Sequence, residues 1–148
     1  MNSSEQNIEA GRMRNSRLLA DAHRLVVKIG SVLLVEAKSG EIYHQWLAAL
    51  AEDVSMCRAR GQEVILVSSG AVAVGRRHLN LPARTLRLEE SQAAAATGQA
   101  RLAHAYQEAL EKHDITTAQI LLTLDDTEER RRHLNARETI DTLLALGV

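Results

Sequence analysis

Two apolar, β-branched runs, Leu25-Val26-Val27-Lys28-Ile29 and Val64-Ile65-Leu66-Val67, each break directly onto a turn of small residues, Gly30-Ser31 and Ser68-Ser69-Gly70-Ala71. A run without polar alternation suits a strand buried on both faces, as in a parallel sheet. Parallel neighbours need a crossover, and the intervening chain supplies one. Trp46, Leu47, Leu50, Val54 and Cys57 fall on one helical face, and Gly61 stands where that helix stops. Strand, helix and stop make one βα unit. Residues 63–67 with a short helix over 71–79 before Pro82 make a second.

The alternation continues. Residues 89–112 read as a long helix, alanine-rich in its first half, with Ala103, Tyr106 and Leu110 extending the apolar stripe. Residues 115–123 read as a third strand. After Asp125-Asp126-Thr127 a last helix carries Leu134, Ile140, Leu143 and Leu144 to a stop at Gly147. The expected fold is therefore α/β: a mostly parallel sheet covered by helices on both faces, a three-layer α/β/α sandwich with right-handed connections. Ligands of such sheets bind at the carboxyl ends of the strands, where both turns fall.

Length and charge narrow the function. The 148 residues, 45% of them hydrophobic, support one core but not the two-lobed body of most kinases. A net charge of −1, with two tyrosines and one tryptophan, offers neither the basic surface nor the stacking platforms of a nucleic-acid binder. One cysteine, Cys57, rules out an internal disulfide, and the six histidines lack zinc-site spacing, so a reducing cytoplasm is expected. No stretch approaches the roughly 20 apolar residues of a membrane span. Residues 1–23 are polar and aperiodic until Leu18, and are expected to form a disordered or loosely helical tail, with the domain over 24–148.

Lys28 is the sharpest candidate. An ammonium at the end of an apolar strand must reach solvent or meet an anion, and Gly30 and Ser31 add close backbone approach and a hydroxyl donor. The bland alternative is an edge lysine pointing outward. Ser68 reads equally as a helix cap or a site residue, whereas Ser69, beside Gly70 and Ala71, is the better candidate for touching substrate. The spacing matches neither a P-loop nor a dinucleotide fingerprint. Gly98, inside a strong helix former run, is expected to serve close helix packing, or, less directly, to let the Gln99 amide reach the site. Asp125 and Asp126 fit helix capping better than magnesium binding, and Glu128 to Arg132 fit a solvated face.

Four segments together, Val26-Val27-Lys28-Ile29-Gly30-Ser31, Val67-Ser68-Ser69-Gly70-Ala71-Val72-Ala73 with Gly75, Ala96-Thr97-Gly98-Gln99 and Leu134-Asn135-Ala136-Arg137, resemble the amino acid kinase family. The Ser-Ser-Gly-Ala and Leu-Asn-Ala-Arg segments point to its glutamate 5-kinase branch, and the likeness runs from about Arg24 to Val148. The resemblance implies ATP-dependent phosphorylation of the L-glutamate γ-carboxylate to glutamyl 5-phosphate, the first step toward proline. It also implies ATP with Mg2+, no metal ligand from this chain, and a homo-oligomer for the full-length enzyme. By the same resemblance, Lys28, Gly30 and Ser31 would contact the ATP phosphates, with Lys28 catalytic, and Ser69, Gly70 and Ala71 would hold glutamate.

There are two departures. Ser31-Val32 stands where the family often has two small hydroxyl residues. Family members also continue past the position of Val148 into an Asn- and Asp-rich loop and the nucleotide-binding half, which this chain is therefore expected to lack. The alternative expectation is an inactive, truncated homologue acting as a binding or assembly module through an exposed sheet edge.

Overall fold

The computed structural model describes residues 18–36 and 39–148. Two strands, β1 (Arg24–Ile29) and β2 (Glu63–Ser68), pair in parallel with Lys28 opposite Val67 and Ile29 opposite Ser68. The helices are α1 (Ser31–Leu34), α2 (His44–Ala59), α3 (Ala71–His78), α4 (Leu88–Glu111), α5 (Leu124–Glu128) and α6 (Arg130–Ala145). Both expected βα units and the parallel pairing are present, so the α/β class holds. The four-residue α1, opening directly after Gly30, has no counterpart in the sequence reading, because a single turn carries no periodicity.

Ile29, Leu34, Leu47 and Leu102 are the largest fully buried side chains. Leu47, Ala51 and Val54 are buried on α2, and half-buried Trp46 and Leu50 pack against the same core together with Val27, Val64 and Leu66. One face of the sheet is thus covered. The other carries Lys28 with Val26 and Val67, which are 64% and 46% exposed. Of the three layers expected, the described residues show the sheet and a helical layer on one face.

The expected third strand does not form among the described residues. Residues 115–123 run as irregular chain, with Leu121 and Leu122 70% and 54% exposed. β propensity reports a side chain's fit to a pleated, half-buried surface, and here no neighbouring strand accepts the ladder bonds and no layer covers the leucines.

Helix ends follow the sequence closely. At Gly61 (φ +79) the N–H groups of Gly61 and Gln62 donate to Arg58 and Cys57 carbonyls at 2.8 and 3.2 Å, and Gly147 and Val148 repeat the pattern onto Leu144 and Leu143. Both are Schellman stops. Asn80 and Asp114 close α3 and α4 the same way, as short polar residues that tolerate positive φ. Asp126 accepts the Thr123 N–H and hydroxyl at 2.7 Å each, closing a capping box that holds its carboxyl below the ordinary range. This is the capping role expected of the acidic turn.

Residues 1–17 of the expected tail lie outside the described residues. Residues 18–21 are helical, and buried Gln62 ties them down: its Nε2 donates to the Leu19 and Ala22 carbonyls at 2.8 and 2.7 Å, while Arg60 donates to its Oε1.

Glu90, in the first turn of α4, accepts two bonds from the Arg84 guanidinium at 2.8 and 2.7 Å, the Arg87 N–H at 2.9 Å and the Arg87 guanidinium at 3.2 Å. The Arg84 bonds are the leading cause of a carboxyl held far below its ordinary value of 4.5. A depressed folded value means that the stabilisation is present above the ordinary value and fades as pH falls below it. The melting temperature of the unaltered chain should therefore drop more steeply below about pH 4.5 than that of Glu90→Gln. Parallel acid slopes in melts of the two proteins would remove Glu90 as the cause.

Candidate functional site

The two turns leave β1 and β2 side by side at the carboxyl edge of the sheet. The Ser69 N–H donates to the Ile29 carbonyl at 3.1 Å, extending the ladder one residue beyond the paired strands. Gly70 then takes φ +111 as the N-cap of α3, a conformation that a side chain would strain. It also sits directly against the first turn: a Cβ on Gly70 would lie 3.1 Å from Val35 Cγ2 and 3.4 Å from Ser31 Cβ. Ser31 and Gly70, 39 positions apart, are in contact.

Each turn opens a helix at this edge, α1 from Ser31 and α3 from Ala71. The first N–H groups of a helix have no intrahelical acceptor and carry partial positive charge, so they favour an anion. Gly30 has φ −74, and a Cβ there would meet nothing within 4 Å. The fold does not need glycine at this position, and the space before it is open.

Lys28 is exposed on the open face of the sheet, and its side chain has no hydrogen-bond or ion-pair partner among the described residues. Ser31 and Ser69 are exposed, while Gly30, Gly70 and Ala71 are half-buried. Lys28, Gly30, Ser31, Ser69, Gly70 and Ala71 thus share one sheet edge. The arrangement offers an exposed cation, hydroxyls and helix N–H groups on one side of an open space. No group of three His, Cys, Asp or Glu that could hold a metal occurs among the described residues.

Ser68 is not the cap of α3. That position is Gly70, and no side chain caps the helix. The Ser68 hydroxyl instead accepts a bond from the Tyr106 hydroxyl of α4 at 3.1 Å, and its Oγ lies 3.4 Å from the Ser69 carbonyl oxygen. Burial raises the Tyr106 phenol above its ordinary value, keeping it a donor. Gln99, Tyr106 and Ser68 line one groove of about 720 Å³ between α4, β2 and residues 115–122. Gln99 therefore lies in the groove that reaches the second turn. Sequence reasoning used Tyr106 only as a member of an apolar stripe. The seven-residue spacing from Gln99, two helical turns, was the available signal.

Gly98 serves helix packing, as expected. A Cβ on Gly98 would overlap the Ala71 carbonyl oxygen and lie 2.6 Å from the Gly75 nitrogen, and one on Gly75 would lie 2.6 Å from the Ala94 carbonyl carbon. The pair brings α3 and α4 into backbone contact and so holds the second turn against the body of the domain.

Residues 23–148 match the model of the amino acid kinase family. The chain is 66% identical over 129 residues to the glutamate 5-kinase of Paramagnetospirillum magneticum, which covers 87% of this chain and 35% of that protein. It is 61% identical over 129 residues to the glutamate 5-kinase of Cereibacter sphaeroides, again 87% of this chain and 34% of the relative. The glutamate 5-kinase of a Ruegeria species is 57% identical over the same share of this chain and 35% of its own length. The chain thus spans about a third of the length of these relatives. No helix among the described residues is long and apolar enough to cross a membrane. With its two βα units paired through parallel strands and the family match running through both, the chain belongs to the amino acid kinase family.

Proposed function

We propose that this chain carries the phosphate- and glutamate-contacting edge of a glutamate 5-kinase. The observation that carries the reading is the close approach of Gly70 to Ser31, which joins the two turns into one edge beside the exposed Lys28. The names of the relatives support the choice of glutamate. In this reading an oxygen of the γ-carboxylate attacks the γ-phosphorus of ATP, the bond to the β-phosphate oxygen breaks, and ADP leaves with glutamyl 5-phosphate as product.

Lys28 neutralises charge on the phosphoryl group in flight, and the backbone at Gly30 and the Ser31 hydroxyl line its path. Ser69, Gly70 and Ala71 hold the glutamate. In the same reading Mg2+ comes as the ATP chelate. Production toward proline, a cytoplasmic setting and a homo-oligomeric complete enzyme belong to the same reading.

The test is glutamate-dependent ADP release by the purified 148-residue chain, followed in a coupled assay, with L-glutamate binding followed by calorimetry. Turnover identifies the chain as the kinase. Binding without turnover identifies it as the substrate-contacting part, completed by further polypeptide. Absence of both overturns the reading and favours a docking module, for which the exposed Val26 and Val67 on the open sheet face are the supporting observation.

A further inference from the structure

We propose that Tyr106 is a positioning residue for the glutamate-contacting turn, acting through the hydroxyl of Ser68; the inference rests on the function proposed above. The Tyr106 hydroxyl reaches 38 positions along the chain to donate to Ser68 Oγ at 3.1 Å. Ser68 is the last ladder residue of β2, opposite Ile29, and immediately precedes Ser69.

Three restraints converge on this short stretch. The Ser69 N–H is held by the Ile29 carbonyl at 3.1 Å, Gly70 is held against Ser31 and Val35, and the Ser68 side chain is held by Tyr106. The first two bind the turn to β1 and α1. The third ties it to α4 by a side-chain hydrogen bond, beside the backbone packing of Gly98 on Ala71, and it does so through a side chain that is half-buried and packed against the core. Ser68 adjoins Ser69 and its Oγ lies 3.4 Å from the Ser69 carbonyl oxygen, so the restraint passes to the peptide following Ser69. A peptide plane set in this way fixes where the next N–H groups point, and hydrogen bonds to a substrate depend steeply on that direction.

Tyr106 itself does not touch substrate in this account. Removing its hydroxyl leaves the ring in the core and frees the Ser68 hydroxyl to rotate. The expected result for Tyr106→Phe is about three- to tenfold weaker L-glutamate binding by calorimetry, the size of one net hydrogen bond. In a longer polypeptide containing these residues and the nucleotide-binding half, binding of a nonhydrolysable ATP analogue should stay unchanged, and the melting temperature should fall by no more than the share of one net hydrogen bond. Ser68→Ala should show the same loss, and the double variant should be no weaker than either single one, because both cut the same link.

The outcomes separate cleanly. Failure of the unaltered chain to bind L-glutamate overturns the proposed function and this inference with it. Binding that Tyr106→Phe leaves unchanged overturns the positioning role alone. Equal weakening of L-glutamate and ATP-analogue binding with a lowered melting temperature also overturns it, since that pattern marks a purely structural tyrosine. Additive losses in the double variant would show that Tyr106 and Ser68 act separately, and would overturn the relay.

Discussion

Gly98→Ala is expected to destabilise the chain by about 3 kcal/mol or more, since the added methyl enters space already filled by backbone. Its Cβ would overlap the Ala71 carbonyl oxygen and crowd the Gly75 nitrogen at 2.6 Å. Neither group is the end of a flexible side chain that could swing aside, so α3 and α4 would have to separate along their length. Separation would also expose Val74 and Ala94, both buried beside the contact. For a chain of this size the loss corresponds to a fall in melting temperature of roughly 10 °C, read by circular dichroism. Gly75→Ala should act in the same way against Ala94, and the two should be strongly non-additive because either one parts the same pair of helices. A fall of less than about 2 °C for Gly98→Ala would show that the helices yield without cost.

Lys28→Ala is expected to lower glutamate-dependent ADP release about a hundredfold, equivalent to about 3 kcal/mol of transition-state stabilisation lost with one preorganised charge. Where the turnover is carried by a longer polypeptide containing these residues, the substitution is made there. Stability should not change, because the Lys28 side chain is exposed and has no partner among the described residues, and the backbone ladder is kept by alanine. That contrast separates the second prediction from the first: one substitution removes fold and function together, the other function alone. A rate loss below threefold would leave Lys28 as an edge lysine facing solvent.

Much of the fold was legible from local pattern. The runs at Leu25 to Ile29 and Val64 to Val67 became a parallel pair, and Leu47, Ala51 and Val54 became the buried stripe of α2. Gly61 and Gly147 became helix stops, and Asp126 became a cap. The third strand was misread for a physical reason. Residues 115–123 have the composition of a strand, but a ladder needs a neighbour, and composition carries no information about whether one is present.

The candidate site was legible as two turns but not as one edge. Lys28-Ile29-Gly30-Ser31 and Ser68-Ser69-Gly70-Ala71 were identifiable because strand ends and glycine turns are set by residues a few positions apart. The contact of Gly70 with Ser31, the bond from Tyr106 to Ser68, and the choice of Gly70 over Ser68 as the cap of α3 were decided by tertiary structure alone. Each depends on a group 20 or more positions away or on a competition between two acceptable partners, and such competitions are settled only when the packed helices and strands fix which groups come within reach.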